Sequence, residues 1–481
     1  MFFSTTKKIG LSVGLGFLLA TVYLPAPTGM EIIAWHTAGI ALLLAVWWAT
    51  EVLPIPVTAL LPILLFPAFG IMTVEASTAP YAEPTIFLLL GGFIIATGLA
   101  RWNLHRRLAL NILVRIKDNP EAIIAGFMGT TAFISMWISN TASAIMMIPI
   151  AMSLVSEVSG DETNQHQRFV LCLVLGIAYS ASIGGLGTII GTPSNLFVVS
   201  FMKQNYGVEV GFVDWMMFGI PAVIVLTATA WWVLTKWVFS FQASGVRISR
   251  SQIAIELNKL GRLSQAEQRT ALVFLLVATA WIVRVPVQQN FGILLWLTDA
   301  MIAIGGAVLM FMIPLGQIHE EDSALLDWES AKAIPWGVLL LFGGGLSLAV
   351  AVKATGLAAW IGAALSGLPE LDLIFIMLGL VIVVIFLTEL TSNTATIATL
   401  LPILGAIAVT NNIDPMLLFV PAALAVSCAF MLPVATAPNA VVYATGYVTI
   451  PQMVHAGFKL NLMAIIVVTT LSYMLIPLIF G

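Results

Sequence analysis

The tripeptide Ser-Asn-Thr occurs twice, at 139–141 and at 392–394, and each copy lies inside a long apolar stretch. The flanking sequences are also similar, with ISNTASAIMMIPIA around the first copy and TSNTATIATLLPIL around the second. Three adjacent polar residues are costly in hydrocarbon unless they face a cavity or each other. The duplication therefore predicts one central polar site that is built from two halves of the chain.

Charged residues are too scarce for a water-soluble protein of this size. They make up 9% of the 481 residues, against 60% hydrophobic residues, whereas a soluble domain carries about 25% charged residues. We therefore expect an all-α polytopic membrane protein. Nucleic-acid binding is not expected, because no basic face of a soluble fold is present. Cys172 and Cys428 both lie in apolar runs, which is typical of core residues rather than of a disulfide or a metal site.

About eleven apolar segments are suited to transmembrane helices, which need about 20 residues to cross a hydrocarbon core about 30 Å thick. They lie near 9–27, 33–50, 53–71, 84–100, 169–203, 215–235, 270–285, 294–313, 335–355, 416–450 and 460–480. The first segment follows two lysines, and no small-x-small cleavage site comes after it. We therefore expect a retained helix rather than the alternative, a signal peptide.

Two further segments are expected to be re-entrant hairpins. The basic segments 101–120 and 236–269 should both stay in the cytoplasm, so 121–157 has to return to the side on which it began. Its arms of about 15 residues reach only about 22 Å at a rise of about 1.5 Å per residue, which places the tip near mid-membrane. Counting membrane crossings from a cytoplasmic N-terminus in the same way predicts that 373–410 is a hairpin that enters from outside, and that the C-terminus lies outside.

Two landmarks recur at nearly the same separation. FLLLGG at 87–92 and LLLFGG at 339–344 are 252 residues apart, and the Ser-Asn-Thr copies are 253 apart. The two Gly-Gly spans are separated by an odd number of crossings, so the halves should run in opposite senses, as in the inverted repeats of secondary transporters. The predicted division is a first transmembrane helix (1–32), a first repeat (33–235) with hairpin 121–157 and broken helix 169–203, a cytoplasmic connector (236–269), and a second repeat (270–481) with hairpin 373–410 and broken helix 416–450.

Glycine and proline interrupt the centre of the long span that follows each hairpin, at 184–195 and at 433–439. Such residues unwind a helix and free its backbone groups. Freed carbonyls suit a hard cation such as Na⁺, and helix N-termini with Thr or Asn donors suit a carboxylate. Segments 122–156, 169–202 and 415–450 contain no charged residue. A transported anion would need bound cations and helix dipoles to offset its charge, although a neutral substrate also fits.

Glu389 is the one charged residue of the second hairpin, and it lies beside the Ser-Asn-Thr tip. Acidic residues inside membrane segments are usually functional. The sequence leaves two roles open. Glu389 either tunes a cation site or carries a proton, or it is a hydrogen-bonded structural acid.

The motifs resemble those of the divalent anion/sodium symporters, which include the INDY-type dicarboxylate transporters. The resemblance is carried by the paired Ser-Asn-Thr tips, by WATEVLPIPVTALLP at 48–62 and by IPWGVLLLFGGG at 334–345, and it covers essentially the whole chain. It implies Na⁺-coupled symport of C4-dicarboxylates such as succinate, malate and fumarate. It also implies a homodimer in the inner (plasma) membrane, with a static scaffold and an elevator-type transport domain.

Carried over by position, the resemblance implies two sodium sites and a substrate site. The first sodium site would consist of Ser135, Ser139, Asn140 and the Gly191 carbonyl. The second would consist of Thr388, Ser392, Asn393 and the Ala435 carbonyl. The substrate carboxylates would contact Asn140, Thr141 and Thr192 on one side and Asn393, Thr394 and Thr436 on the other.

Other functions are also compatible with the sequence. Within the family, the alternatives are a sodium-independent exchanger of dicarboxylates or citrate, and a sulfate symporter. A channel is a further alternative, which saturable uptake would argue against. An enzyme is not expected, because the sequence contains no recognisable nucleophile–base pair or metal-ligand set. Polar residues in membrane helices also often bridge neighbouring helices without binding a ligand.

Overall fold

The structure is a computed structural model that describes residues 5–117, 119–155, 164–241, 251–316, 324–365 and 372–480. Within these residues the regular elements are helices, joined by turns and irregular segments, and the described chain has one isolated bridge, between Pro314 and Ala324. Among them, eight helical stretches are long and apolar enough to cross a membrane. The predicted class, an all-α polytopic membrane protein, is confirmed, while the count of about eleven transmembrane helices stays a prediction.

The segment before the first hairpin differs from the prediction in one place. Its helices are α1 (Thr5–Tyr23), α2 (Ile32–Thr50), α3 (Ile55–Thr58), α4 (Leu61–Ala68), α5 (Val74–Thr78), α6 (Pro84–Arg101) and α7 (Leu104–Leu113). The expectation of one helix over 53–71 is wrong, because α3 and α4 have only four and eight residues. Pro62 has no amide hydrogen to donate to the Thr58 carbonyl four residues earlier, so the helix is interrupted between Thr58 and Leu61, and Pro62 lies in the first turn of α4.

The first hairpin is two helices joined by a four-residue turn over 136–139. The helices here are α8 (Pro120–Ser135), α9 (Asn140–Val155), α10 (Asn164–Gly184), α11 (Pro193–Tyr206) and α12 (Phe212–Trp232). Helices α8 and α9 have 16 residues each, or about 24 Å at a rise of about 1.5 Å per residue, too short to cross. Residues 156 and 157 of the predicted hairpin lie outside the described residues.

The second half repeats this order of elements. Its helices are α13 (Ser251–Lys259), α14 (Gln265–Phe291), α15 (Asp299–Met312), α16 (Trp328–Ala331), α17 (Trp336–Ala354), α18 (Leu357–Leu365), α19 (Leu373–Thr388), α20 (Asn393–Thr410), α21 (Met416–Val426), α22 (Ala437–Ala444) and α23 (Ile450–Ile479). In each half a Gly-Gly helix (α6, α17) precedes a short helix (α7, α18), a hairpin (α8–α9, α19–α20), a broken helix (α10–α11, α21–α22) and a long helix (α12, α23). Residues 242–250 of the predicted connector lie outside the described residues.

The two halves pack crosswise around the broken helices. Helix α9 of the first hairpin packs against α22, and α20 of the second hairpin packs against α11. The Oγ atoms of Ser194 and Ser427 are 3.5 Å apart, which brings the two breaks together. Each hairpin therefore contacts the broken helix of the other half, an arrangement that places polar tips from both halves in one region.

A largely buried ion pair ties the basic segment after α6 to the connector. Arg107 Nε donates to Glu267 Oε1 at 2.8 Å, and the two side chains are only 11% and 8% exposed. The Arg107 guanidinium also donates to the Gly261 carbonyl at 2.9 Å. The segments 101–120 and 236–269, both predicted to be cytoplasmic, are thus in direct contact.

Candidate functional site

Three oxygen atoms meet where the first hairpin turns over the first broken helix. Ser135 Oγ lies 2.8 Å from Asn140 Oδ1 and 2.6 Å from the Ala181 carbonyl oxygen, and we call these atoms the first oxygen cluster. Ser135 ends α8 and Asn140 begins α9, so the turn between the helices brings them together. A hydroxyl carries one hydrogen and donates to only one acceptor at a time. The cluster is therefore rich in lone pairs, as a site for a small cation has to be.

The second hairpin forms the same arrangement, which we call the second oxygen cluster. Thr388 Oγ1 lies 2.6 Å from Asn393 Oδ1 and 3.1 Å from the Val426 carbonyl oxygen. Thr388 ends α19, Asn393 begins α20, and Val426 ends α21. Both clusters therefore contain a hydroxyl, an amide oxygen five residues later, and a carbonyl at or near the end of the helix before a break.

Glycine is required beside the first cluster because the chain segments approach closely. A Cβ on Gly185 would lie 2.6 Å from Asn140 Oδ1 and 3.1 Å from the Gly191 carbonyl oxygen. A Cβ on Gly191 would in turn overlap the Gly185 carbonyl oxygen. The predicted Gly191 carbonyl is therefore close to Asn140, and the glycines of the break leave the space in which they approach.

The four threonines that were predicted to contact substrate all lie at helix N-termini. Thr141 and Thr394 are the second residues of α9 and α20, while Thr192 and Thr436 are the N-caps of α11 and α22. The first turn of a helix has amide hydrogens without an intrahelical partner, and its dipole carries about half a positive charge. Amide and hydroxyl donors at four such ends suit the carboxylates of an anion.

Two of the predicted sodium ligands have other contacts. The Ser139 hydroxyl is exposed and accepts a hydrogen bond from the Ala142 amide at 3.2 Å, which caps the start of α9. Ser392 is the N-cap of α20, and its carbonyl accepts from the Thr396 amide. Ala435 is buried in the second break, directly before Thr436. The clusters themselves thus contain Ser135, Asn140, Thr388 and Asn393, but the contacts of Ser139 and Ser392 are to their own hairpins.

Two asparagines that were not predicted as site residues donate hydrogen bonds to backbone carbonyls of the two breaks. Asn195 Nδ2 donates to the carbonyls of Gly185 at 2.9 Å and Thr188 at 2.8 Å. Asn439 Nδ2 donates in the same way to Ala429 and Leu432, at 3.1 Å each. Both asparagines are fully buried, and they satisfy carbonyls that the interrupted helix leaves without a partner. Their common position, three residues after Thr192 and Thr436, is the sequence signal that could have identified them.

A cavity of about 860 Å³ lies beside the first broken helix. Its walls come from α6, α11, the start of α12, α14 and α15, and Ile189 of the first break also lines it. Near the cavity, Arg284 of α14 pairs with Asp299 of α15 at 2.7 Å. The cavity thus lies between part of the first broken helix on one side and α6, α14 and α15 on the other.

Comparison with known proteins gives consistent matches over the whole chain. A family model described as the sodium:sulfate symporter transmembrane region matches residues 5–480. The sodium-dependent dicarboxylate transporter SdcS of Staphylococcus saprophyticus is 39% identical over 495 positions, covering 100% of this chain and 95% of that protein. Its namesake in Staphylococcus aureus is 40% identical over 484 positions, covering 100% of this chain and 93% of that protein.

Two solved transporter structures share the fold at low sequence identity. The YdaH transporter of Alcanivorax borkumensis superposes with a TM-score of 0.62 at 14% identity, covering 99% of each chain. MtrF of Neisseria gonorrhoeae superposes with a TM-score of 0.60 at 13% identity, covering 98% of this chain and 95% of that one. At these identities the similarity concerns the fold alone.

Proposed function

The chain belongs to the sodium:sulfate symporter family, and from this membership we propose that it is a sodium-coupled dicarboxylate symporter. Relatives at about 40% identity over their nearly full lengths are sodium-dependent dicarboxylate transporters. The protein is accordingly a transporter rather than an enzyme, and Na⁺ is its coupling ion. The observation that carries the proposal is the pair of oxygen clusters beside four helix N-termini, in segments that contain no lysine or arginine near the tips.

Each oxygen cluster binds one Na⁺ in this proposal. Ser135, Asn140 and the Gly191 carbonyl contribute to the first site, and Thr388 and Asn393 contribute to the second. All of these ligands are neutral oxygens, which a hard monovalent cation accepts without a protein counter-charge. Ser139, Ser392 and the Ala435 carbonyl would join the sites through movement of the hairpin turns and of the second break.

The substrate lies between the two clusters in this proposal. Its carboxylates receive hydrogen bonds from Asn140, Thr141 and Thr192 on one side, and from Asn393, Thr394 and Thr436 on the other. The two bound cations and the helix N-termini offset its two negative charges. A C4-dicarboxylate such as succinate, malate or fumarate carries one carboxylate at each end, which matches a site built from two similar halves.

We further propose that the hairpins and broken helices move as one transport domain against a scaffold. The cavity bounded by α6, α14 and α15 supports this division, since close-packed interfaces do not slide freely. The scaffold would also form a homodimer, as the family resemblance implies. The proposed orientation puts the N-terminus in the cytoplasm and the C-terminus outside, because the contacting basic segments 101–120 and 236–269 then share the cytoplasmic side.

Uptake of radiolabelled succinate into proteoliposomes tests the proposal. With an inward Na⁺ gradient the protein should accumulate succinate, and with choline in place of Na⁺ it should not. Asn140→Ala and Asn393→Ala should each lower uptake at fixed Na⁺ by about tenfold or more, since a hydrogen bond or ligand contact to a charged group contributes about 1.5–3 kcal/mol.

Asn411→Ala is the matched control for these two variants. Asn411 lies at the other end of α20, where its Nδ2 donates only to the Ile407 carbonyl at 2.9 Å, so its loss should leave uptake unchanged. Sodium-independent accumulation with nothing trapped inside would contradict the proposal. Counterflow in Na⁺-free buffer would instead indicate an exchanger. Competition by sulfate tests the substrate that the family description names.

A further inference from the structure

The buried carboxylate of Glu389 is surrounded by hydrogen-bond donors. It accepts from the backbone amides of Phe430 at 2.8 Å, Met431 at 2.9 and 3.1 Å, and Leu432 at 3.1 Å. Asn461 Nδ2 of α23 donates to the same carboxylate at 2.7 Å. Glu389 is only 3% exposed. Most of its lone pairs are therefore occupied by N–H groups, which makes the carboxylate an anchor for amides rather than a direct cation ligand.

The three amides belong to the unwound stretch between α21 and α22. This stretch, residues 427–436, has no regular helix to satisfy its backbone groups, and unpaired amides are expensive away from water. Glu389 accepts hydrogen bonds from three backbone amides of this stretch, while Asn439 donates to two of its backbone carbonyls. The stretch ends with Ala435 and Thr436, which the proposed function assigns to the second sodium site and to the substrate.

The first half of the chain has no charged residue at the corresponding position. Glu389 lies 253 residues after Met136, the same separation as that of the two Ser-Asn-Thr motifs. At the first break the Thr188 hydroxyl donates to the Met136 backbone carbonyl at 2.6 Å, so a neutral contact joins that hairpin to its broken helix. The two halves thus differ at this position, with a carboxylate beside the second cluster and a thioether in its place beside the first.

We propose that Glu389 is a positioning residue that sets the sodium affinity of the second site. Its hydrogen bonds fix the conformation of the break that carries the Ala435 carbonyl. It is also the next residue in the chain after Thr388, so it places a negative charge next to the second oxygen cluster. The inference rests on the proposed function, because it assigns a role within that sodium site. A glutamine at 389 keeps the size of the side chain, but it turns an acceptor oxygen into an NH₂ group that faces the amide hydrogens of the break.

The experiment compares Glu389→Gln and Asn461→Ala with the wild type in proteoliposomes. The Na⁺ concentration for half-maximal succinate uptake should rise at least about tenfold in Glu389→Gln, the loss expected for one charge-assisted contact. It should rise by a smaller factor in Asn461→Ala, which removes one donor to the carboxylate and leaves the charge in place. The succinate KM at saturating Na⁺ should stay within about twofold of wild type in both, because the substrate contacts are retained.

Glu329→Gln is the matched control, since it makes the same chemical change at an exposed residue that pairs only with Lys332. A role in stability alone would lower the thermal unfolding temperature without moving the Na⁺ dependence, and that result would overturn the inference. If Glu389→Gln does not fold, Asn461→Ala decides, and an unchanged Na⁺ requirement there also overturns it. A wild type that takes up succinate without Na⁺ overturns the proposed function together with this inference, whereas a Na⁺-dependent wild type with unaffected variants overturns this inference alone.

Discussion

Replacing Thr388 with valine should weaken sodium binding at the second oxygen cluster while keeping the shape of the side chain. Thr388 is fully buried, and its hydroxyl lies 2.6 Å from Asn393 Oδ1 and 3.1 Å from the Val426 carbonyl. The hydroxyl is the only member of the cluster that has a hydrogen to donate. Valine removes both that hydrogen and one oxygen ligand for the ion.

The two states of the site lose different amounts of free energy. Without Na⁺, the Asn393 amide oxygen loses its donor, but Asn393 is only partly buried, so water takes the place of the donor and the loss is small. With Na⁺ bound, the ion itself satisfies that oxygen, but it has one ligand fewer, a loss of about 1.5–3 kcal/mol. Since about 1.4 kcal/mol corresponds to a factor of ten, the half-saturating Na⁺ concentration should rise by about 10- to 150-fold if the sodium-free state is little affected.

The assay is succinate uptake as a function of Na⁺ concentration, together with thermal unfolding in detergent at zero and saturating Na⁺. Thr399→Val is the matched control, because Thr399 is on the same hairpin and its hydroxyl donates only to the Ala395 carbonyl one turn away, at 2.9 Å. That variant should keep its Na⁺ requirement within about twofold of wild type. If Thr388→Val and Thr399→Val require the same Na⁺ concentration as wild type, the second oxygen cluster is not a sodium site.

Two further changes test the packing around the site and the connector. Gly185→Ala in the first break should abolish Na⁺-driven uptake, because its Cβ would press into the first oxygen cluster. Gly129→Ala in α8 of the first hairpin should keep full uptake, since nothing lies within 4 Å of its added Cβ; equal uptake by both would contradict the close approach. Arg107→Ala should lower the free energy of unfolding by about 3–5 kcal/mol, because Glu267 is left largely buried without its partner. The exposed Arg115→Ala should change it by less than about 0.5 kcal/mol, and denaturant melts in detergent compare the two.

The sequence predicted those parts of the fold that have a strong local signal. Apolar length gave the membrane class. The charge pattern predicted re-entrant hairpins at 121–157 and 373–410; the structure has pairs of helices over 120–155 and 373–410, and their re-entry into the membrane stays a prediction. The family resemblance pointed to Ser135 with Asn140 and to Thr388 with Asn393, and these side chains are in contact in the structure. The span at 53–71 was wrong because hydropathy counts proline as a neutral member of an apolar run, whereas its missing amide interrupts the helix.

The backbone part of the clusters could not be predicted in the same way. Every residue has a carbonyl, so the sequence does not single out Ala181 or Val426 from their neighbours. Only the crossing of each hairpin over its broken helix brings these oxygens to Ser135 and Thr388. The role of Glu389 was open for a related reason: its partners are three backbone amides and Asn461, 72 residues further along the chain, and no local pattern indicates them.

The neutrality of the site offers a physical reason for tight coupling in the proposed mechanism. A dicarboxylate that enters alone changes the charge of the site by two units. Moving an ion from water into a low-dielectric interior costs about 20 kcal/mol of solvation free energy in the idealised limit and several kcal/mol in practice. One Na⁺ at each oxygen cluster reduces that change to zero, while Glu389 contributes the same charge to the loaded and the empty state. The transport domain should then move across the membrane least readily when only part of its cargo is bound. A lysine or arginine at the tips would hold the anion without sodium and would remove this penalty, which is consistent with the absence of both residue types from 122–156 and 373–410.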